Sequence, residues 1–253
     1  MRFASLGSGS RGNALLVESG NTRVLIDAGF GPRETLRRLS RLGVEAHDVD
    51  SILVTHEHSD HVGGAFSCAG RFGWKLAMTA GTHLASLGHA PDVKVSRIDS
   101  HLGFELGGLS IQPFPVPHDA REPVQYVLTD GASRLGVLTD AGHVTSHMVA
   151  VLDGCDALVL ECNHDSEMLA NGGYPFSLKQ RISGPLGHLD NSAAASLLAR
   201  IDRSRLRHVI AAHLSEQNNT PELACAALCG VLNCASSWIG VASQAAGFDW
   251  REI

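Results

Sequence analysis

The 253-residue sequence has few lysines, no cysteine pair in a CxxC arrangement and no long apolar run. Without a CxxC pair, the six cysteines match no common zinc or thiol-redox motif, so we expect free thiols. The N-terminal segment MRFASLGSGSRGNALLV contains no apolar core of signal-peptide length. No segment approaches the roughly 20 apolar residues of a membrane-spanning helix. These absences predict a cytoplasmic protein that does not enter a membrane.

Acidic residues outnumber basic ones. The chain has 20 Lys and Arg against 26 Asp and Glu, and its formal net charge of −6 argues against a broadly basic nucleic-acid-binding surface. Only three basic residues are lysines, and the others are arginines, whose planar guanidinium suits phosphate and carboxylate groups. Bound divalent metals would add positive charge, so a local cationic site is compatible with this balance. A hydrophobic content of 44% and the lack of repeats or linkers favour a single domain over residues 1–253.

Short β-like segments alternate with helices along the chain. Apolar runs bounded by turn residues predict strands over residues 2–6, 14–18, 22–27, 51–55, 109–116, 124–129, 134–139, 157–161 and 208–212. Helical periodicity predicts helices over residues 32–42, 191–201 and 221–230. Asn191 or Ser192 is the expected cap of the second helix, and Thr220 is the expected cap of the third. This pattern is typical of a layered α/β architecture with helices outside.

Residues 7–12 match the dinucleotide-binding pattern GxGxxG and follow a short predicted strand. That site requires the third glycine to open a helix whose N-terminus binds the pyrophosphate. Two β-like runs joined by a tight turn follow instead, and they leave no room for the helix. We therefore interpret the segment as a glycine-rich connection between strands, in which Ser8, Ser10 and Asn13 face a ligand.

Fourteen histidines are unusual for this length, and several of them cluster in the sequence THEHSDH at residues 55–61. The sequence is not the HExxH zinc motif, because position 60 is an aspartate. Side chains alternate along an extended chain, so His56 and His58 should point the same way. If the chain then turns into a helix, Asp60 and His61 can face a second point nearby. One loop would then supply ligands to two metal sites.

Further ligands are expected where other predicted strands end. His118, Asp140 and His213 are polar residues at the exits of apolar runs, where α/β sheets usually build their sites. Each of them alone could equally be a capping or surface residue. Together with the first motif they form a coherent set.

The motifs IDAG, THEHSDH, PHD, LTDAG, GHLDN and AAHLSEQNNTPE, in this order, resemble the metallo-β-lactamase fold superfamily over the whole chain. The resemblance implies an α/β fold, a four-layer αβ/βα sandwich of two mixed sheets with helices outside and a dinuclear metal centre between the sheets. It implies that one metal is held by His56, His58 and His118 and that the other is held by Asp60, His61 and His213. In the same resemblance Asp140 bridges the two metals, and Asp27 orients the ligand loop.

The segments GSGSRGN, ECNHD and GHLDN look most like the phosphodiesterase branch, and within it the YycJ/WalJ-type group associated with 5′→3′ exonuclease activity on DNA. This likeness implies two divalent ions, Zn²⁺ or Mn²⁺ with Fe²⁺ as an alternative, that share a hydroxide. It implies catalytic roles for Asp60 and for His188, the latter as a general acid or phosphate contact. Asn163 and His164 would line the substrate cleft. His143 stands where a tyrosine is expected.

Two other functions stay open. A thioesterase or other small-molecule hydrolase could use the same ligands, and a metal-binding module without activity is disfavoured by the complete ligand set. The expected partner is a nucleic acid or another phosphodiester substrate, and no obligate protein partner is indicated. Surface or structural positions are expected for six further histidines, namely His47, His83, His89, His101, His147 and His208.

Overall fold

Two seven-stranded sheets face each other in the computed structural model, which describes residues 1–87 and 92–253. The described residues form fourteen strands: β1 (Arg2–Gly7), β2 (Ala14–Ser19), β3 (Thr22–Ile26), β4 (Ser51–Leu53), β5 (Lys75–Thr79), β6 (Val95–Ile98), β7 (Phe104–Leu106), β8 (Leu109–Pro115), β9 (Val124–Thr129), β10 (Arg134–Leu138), β11 (Ala157–Glu161), β12 (His208–Ala212), β13 (Gly240–Val241) and β14 (Phe248–Glu252).

The same residues form nine α-helices: α1 (Pro32–Arg41), α2 (Ser59–Val62), α3 (Ala65–Phe72), α4 (Ala80–Ala85), α5 (Ser146–Leu152), α6 (Ser166–Asn171), α7 (Phe176–Ile182), α8 (Asn191–Arg200) and α9 (Pro221–Leu232). Short 3-10 turns lie at Ala46–Asp48 and Ser236–Trp238. None of the helices described here combines the length and the hydropathy that crossing a bilayer requires. His89, for which a surface or structural position was expected, lies outside the described residues.

Both sheets are mixed. The first has the order β14-β1-β2-β3-β4-β5-β6, and its strands from β3 to β6 run parallel. The second has the order β13-β12-β11-β10-β9-β8-β7, and its strands from β10 to β13 run parallel. Parallel strands end at the same edge, so the residues that follow β4, β10, β11 and β12 can meet there.

Alternation along the strands sorts the apolar side chains into layers. In β2, Leu15 and Val17 point into the core between the sheets, whereas Ala14 and Leu16 pack outward against α1 and α3. The outer face of the second sheet packs in the same way against α5, α8 and α9. The four-layer sandwich with helices outside is therefore confirmed.

Most predicted elements are confirmed, with small shifts at their ends. Strands β9, β11 and β12 have the predicted bounds, and Thr220 caps α9 as expected. The cap predicted for α8 was wrong, because the side chain of Asp190 accepts the Ala193 N–H at 2.6 Å and neither Asn191 nor Ser192 holds the cap position. Sequence patterns missed β5, β6, β7, β13 and β14. Strands β6 and β7 have only three or four partly exposed residues, which carry little alternation.

The glycine-rich segment connects β1 directly to β2, which pair antiparallel, and no helix lies between them. Gly9 and Gly12 have φ angles of 141° and 147°, a region that side-chain-bearing residues rarely adopt. The interpretation of this segment as a strand connection, and not a dinucleotide site, is confirmed.

Candidate metal centre

The histidine-rich loop leaves β4 in an extended conformation and turns into α2. His58 still has extended backbone angles, φ −62° and ψ 145°, and occupies the cap position of α2. His56 and His58 therefore precede the turn, and Asp60 and His61 lie in the first helical turn. The change from extended to helical backbone separates two ligand pairs within six residues, as the spacing predicted.

The first cluster consists of His56, His58 and His118, which follows β8. Their ring centroids lie 4.6 to 4.9 Å apart. His118 Nε2 is 3.2 Å from His58 Nδ1. One nitrogen from each of the three rings lies within 4.8 Å of the other two. Three imidazole nitrogens at this spacing suit a transition-metal ion such as zinc.

The second cluster consists of Asp60, His61 and His213, which follows β12. Asp60 Oδ2 lies 3.4 Å from both His61 Nε2 and His213 Nε2. The three side chains also satisfy the 4.8 Å spacing of a metal site. The ligands of both clusters lie on loops that follow strands: β4 and β12 pair parallel with their neighbours, whereas β8 pairs antiparallel.

Asp140 lies between the clusters, two residues after the end of β10. Its Oδ2 atom is 3.1 Å from His61 Nε2, and its Oδ1 atom is 3.9 Å from His118 Nε2. Among the described residues, Asp140 Oδ2 and His56 Nε2 are buried without a hydrogen-bond partner. Buried polar atoms are rarely left unpaired, so these two atoms fit ligands of bound cations.

The backbone is strained at three of these positions. Of the four described non-glycine residues with positive φ, three belong to the site: Asp27 at 63°, Asp140 at 60° and His213 at 55°. Asp27 and His213 directly follow β3 and β12, and Asp140 is the second residue after β10. Such conformations cost about 1–3 kcal/mol and persist where the surroundings demand them.

Each histidine whose Nε2 faces the clusters has its other ring nitrogen held. His61 Nδ1 lies 2.7 Å from Asp27 Oδ2, which is the orienting contact expected for Asp27. His56 Nδ1 lies 2.9 Å from the Thr55 hydroxyl, and that hydroxyl also bonds Asp27. His118 Nδ1 donates to the carbonyl of Gly187 at 2.9 Å. Held in this way, the rings keep Nε2 available as a ligand atom.

The charges at the site favour a cation. Burial works against a charged His61, but the Asp140 and Asp27 carboxylates hold its pKa well above the usual range. His213 is equally buried, yet Asp140 and Asp60 raise its pKa to about 10. The buried carboxylates require nearby positive charge. Protonated imidazoles can supply that charge, and so can divalent cations. The residues present therefore fit divalent metal.

Glu161 is a site residue that the sequence reasoning missed. It ends β11, is fully buried, and accepts a hydrogen bond from His188 Nδ1 at 2.8 Å. Its second oxygen accepts from the backbone N–H groups of Ala141 at 2.9 Å and Leu189 at 3.1 Å. A carboxylate at the end of a buried strand is the same signal that identified Asp140, so the sequence could have revealed it. His188 itself lies beside the clusters with 20% of its side chain exposed.

The structure places Ser8 and Asn13, which were expected to face a ligand, against residues of the second cluster. Ser8 Oγ accepts the backbone N–H of His213 at 2.9 Å, and Asn13 Nδ2 lies 3.3 Å from Asp60 Oδ2. Both side chains are buried behind the second cluster, where they hold its ligands in place. Ser10 is exposed on the same loop.

Asn163 and His164, which were expected to line a substrate cleft, also lie close to the second cluster. Both are buried, and Asn163 Nδ2 donates to the carbonyl of His213 at 3.0 Å. His164 Nδ1 lies 3.3 Å from Asn163 Oδ1. They are buried because they directly continue β11, which is a central strand of its sheet. Asn163 therefore contacts a residue of the second cluster directly, and His164 contacts Asn163.

Comparison with known proteins supports this geometry. The Beta-lactamase superfamily domain matches residues 22–213. Exodeoxyribonuclease YycJ of Bacillus anthracis is 36% identical over 227 residues, which cover 88% of this chain and 86% of that protein. Exodeoxyribonuclease WalJ of Streptococcus pneumoniae is 34% identical over 246 residues, covering 95% and 91%. The metallo-beta-lactamase fold protein YhfI of Bacillus subtilis shares the fold, with a TM-score of 0.74 at 16% identity over 100% of this chain and 99% of that one.

Proposed function

The chain belongs to the β-lactamase superfamily, and from this membership we propose that it is a dinuclear metal-dependent phosphodiesterase that acts on DNA as a 5′→3′ exonuclease. Two relatives that it matches over most of their length, at 34% and 36% identity, are named exodeoxyribonucleases. The observation that carries the proposal is the pair of ligand clusters on either side of Asp140. This arrangement suits in-line displacement at a phosphodiester, in which both the attacking and the leaving oxygen need stabilisation.

The proposed ligand assignment follows the clusters: His56, His58 and His118 hold one divalent ion, and Asp60, His61 and His213 hold the other. Asp140, which lies between the clusters, would contribute to holding both ions. Mixed nitrogen and carboxylate donors suit Zn²⁺ or Mn²⁺, with Fe²⁺ as an alternative. The two cations, when bound, would neutralise the phosphodiester and activate water for attack on phosphorus.

The chain's own residues complete the chemistry. The carboxylate of Glu161 accepts a hydrogen bond from Nδ1 of His188, so Nε2 of that ring is left to hold the proton for the leaving oxygen. His188 is partly exposed, whereas His56, His61, His118 and His213 are buried, so a substrate could reach it.

Asp60 would act as a ligand and also help to orient the attacking water, because its side chain is partly exposed. The side chain is 19% exposed, against 2% for Asp140, so it is the more accessible of the two ligand carboxylates. Burial resists ionisation, but the neighbouring charge of His61 holds the pKa of Asp60 well below its usual range, and the group is a carboxylate at neutral pH.

We also propose that residues 1–253 work as one domain in the cytoplasm without an obligate protein partner. All six cysteines are free thiols, which agrees with a reducing compartment. The match to the exodeoxyribonuclease relatives extends over 88% and 95% of the chain, and no second domain is needed to explain it.

The test is a parallel measurement of metal content and substrate range. We expect about two divalent ions per chain and degradation of 5′-phosphorylated DNA, whereas Asp140→Ala should lose metal and activity together. Asp92→Asn, an exposed aspartate, is the control for a lost carboxylate. Full metal loading of Asp140→Ala would exclude the bridging role. Turnover of thioesters but of no phosphodiester would favour the small-molecule hydrolase instead.

A further inference from the structure

His58 differs from the other histidines of the first cluster in the ring nitrogen that it offers to the metal centre. Its Nδ1 atom lies 3.2 Å from His118 Nε2, so Nδ1 is the nitrogen that points into the cluster. Its Nε2 atom is then the one that a neighbouring group can hold. In His56, His61 and His118 these roles are reversed, because a held Nδ1 leaves Nε2 for the metal.

Asp119 is the carboxylate that faces this second nitrogen of His58. Its Oδ1 atom lies 3.6 Å from His58 Nε2 and 3.5 Å from His118 Nε2. Both distances are longer than a hydrogen bond, so the carboxylate acts on the rings through its charge. That negative charge favours the tautomer of His58 with its proton on Nε2, which leaves the lone pair of Nδ1 free for a cation.

Asp119 itself is not a member of either ligand cluster. Among the described residues, four groups of side chains bring their ligand atoms within 4.8 Å of one another, and none of these groups includes Asp119. Burial resists its ionisation, but the hydrogen bond from Arg181 holds the pKa of Asp119 below its usual value, and the group is a carboxylate at neutral pH. It therefore stands beside His58 as Asp27 stands beside His61.

Arg181 of α7 holds Asp119 in this place. Its Nε atom donates to Asp119 Oδ2 at 2.6 Å, which leaves Oδ1 to face the histidine rings. The backbone joins the same two segments, because the Asp119 N–H donates at 3.0 Å to the carbonyl of Leu186, four residues after the end of α7. A chain of contacts thus runs from α7 through Arg181 and Asp119 to His58.

We propose that Asp119 is a positioning residue for the first metal ion: it keeps Nδ1 of His58 available to the ion, and Arg181 keeps Asp119 in place. The inference rests on the ligand assignment of the proposed function and adds a residue that sets how tightly one ion is bound. In the part of the chain that the structure describes, the contacts of Asp119 with ligand histidines involve only the first cluster. The second ion should therefore be unaffected.

The experiment measures the affinity of each ion separately. His213→Ala lacks a ligand of the second ion and reports the first, whereas His56→Ala lacks a ligand of the first ion and reports the second. The Zn²⁺ affinity of each metal-loaded full chain is obtained from equilibrium competition with a coloured chelator. Asp119→Asn added to His213→Ala should weaken binding about 10-fold, as expected for loss of a group that orients a ligand ring. Added to His56→Ala, it should change nothing.

Arg181→Gln tests the other end of the chain of contacts. In the His213→Ala background it should weaken Zn²⁺ binding by a smaller factor than Asp119→Asn, because the carboxylate remains but is no longer held. The Arg181 side chain is 59% exposed, so this variant decides the matter even if Asp119→Asn disturbs the fold. Asp92→Asn and Arg200→Gln, which remove an exposed carboxylate and an exposed guanidinium, are the matched controls and should leave both affinities unchanged.

A spectroscopic measurement separates positioning from a general structural role. In the zinc-loaded parent, a long-range proton–nitrogen NMR spectrum should show the ring proton of His58 on Nε2, with the signals assigned from their loss in His58→Gln. Asp119→Asn should shift the Nε2 resonance of His58 and leave the ring resonances of His61, which Asp27 holds, unchanged. A general loosening of the fold would shift both.

Several results would overturn the proposal. One is equal Zn²⁺ affinity of His213→Ala with and without Asp119→Asn, and another is a ring proton on Nδ1 of His58 in the zinc-loaded parent. Complete loss of the first ion in Asp119→Asn would make Asp119 a ligand and not a positioning residue. If the parent binds both ions but cleaves no phosphodiester, the proposed function is contradicted, while the affinities still decide the role of Asp119.

Discussion

Glu161→Gln is the substitution that best tests how the site uses His188. The carboxylate is fully buried and accepts hydrogen bonds of 2.8 to 3.1 Å from His188 Nδ1 and from two backbone N–H groups, and its Oε1 atom also lies 3.4 Å from His213 Nδ1. Glutamine has nearly the same shape but only one accepting oxygen. Its NH₂ group cannot accept, so either His188 or the backbone pair loses its partner.

The size of the effect follows from the lost contact. A hydrogen bond to a charged group contributes about 1.5–3 kcal/mol, and each 1.36 kcal/mol of barrier is a factor of ten in rate. We expect kcat on 5′-phosphorylated DNA to fall about 10–150-fold. Metal content should stay at about two ions, because the proposed ligand set does not include Glu161.

The assay combines elemental analysis with steady-state kinetics on the same preparations. If Glu161 acts through His188, the double variant Glu161→Gln/His188→Ala should be no slower than His188→Ala alone. Glu167→Gln, an exposed glutamate of α6, is the control and should match the parent.

Two results would refute this reasoning. Glu161, Asp140, His188 and His213 also lie close enough together to hold an ion. A drop to about one ion per chain in Glu161→Gln would make Glu161 a ligand. Independent rate losses that multiply in the double variant would show that Glu161 does not act through His188.

Three further outcomes are expected. His213→Ala should lose one metal ion, whereas His188→Ala should keep both and lose activity by about 10²–10⁴-fold, the usual contribution of a general acid. Asp27→Asn should weaken metal binding about 10–100-fold, because His61 loses the carboxylate that orients its ring. Chelation should lower Tm by about 10 °C, since a ligand at 1,000 times its Kd stabilises by about 4 kcal/mol and each kcal/mol shifts Tm by about 2–4 °C at this size.

Matched controls accompany these measurements. His147→Ala removes an exposed histidine of α5, and Asp92→Asn removes an exposed carboxylate. Metal loss in His188→Ala with retention in His213→Ala would reverse the assignment of these two residues. Unchanged metal affinity in Asp27→Asn would remove its orienting role. A Tm that does not recover when Zn²⁺ or Mn²⁺ is returned would point to damage by the chelator and not to loss of the ions.

The local spacing of the histidine-rich loop made its geometry predictable. His56 and His58 share a direction because strand side chains alternate, and Asp60 and His61 face elsewhere because the chain turns into α2. The rule that polar residues at strand exits meet at one sheet edge located His118 as well. These are short-range properties of the backbone, which a sequence displays directly.

The contacts around the ligands could not be predicted in this way. Ser8 bonds the backbone of His213 across 205 positions of sequence, and Asn13 reaches Asp60 across 47. From the sequence, small polar residues in a glycine-rich loop suggested contact with a ligand. Their burial against the second cluster depends on where β1 and β12 lie in their two sheets, which no local pattern encodes.

Local patterns in the sequence predicted a layered α/β class, nine of the fourteen described strands and the polar side chains at strand exits, because periodicity and strand exits are properties of neighbouring residues. The four-layer sandwich and the division of the ligands into two clusters followed from the resemblance to the metallo-β-lactamase superfamily. Only the tertiary structure decided which second partner each side chain faces: Glu161 for His188, Asp119 for Arg181 and Asp27 for His61. Those pairings join residues 27 to 62 positions apart. They arise only when separate strands and helices pack together, since packing determines burial, and burial determines which polar groups must pair.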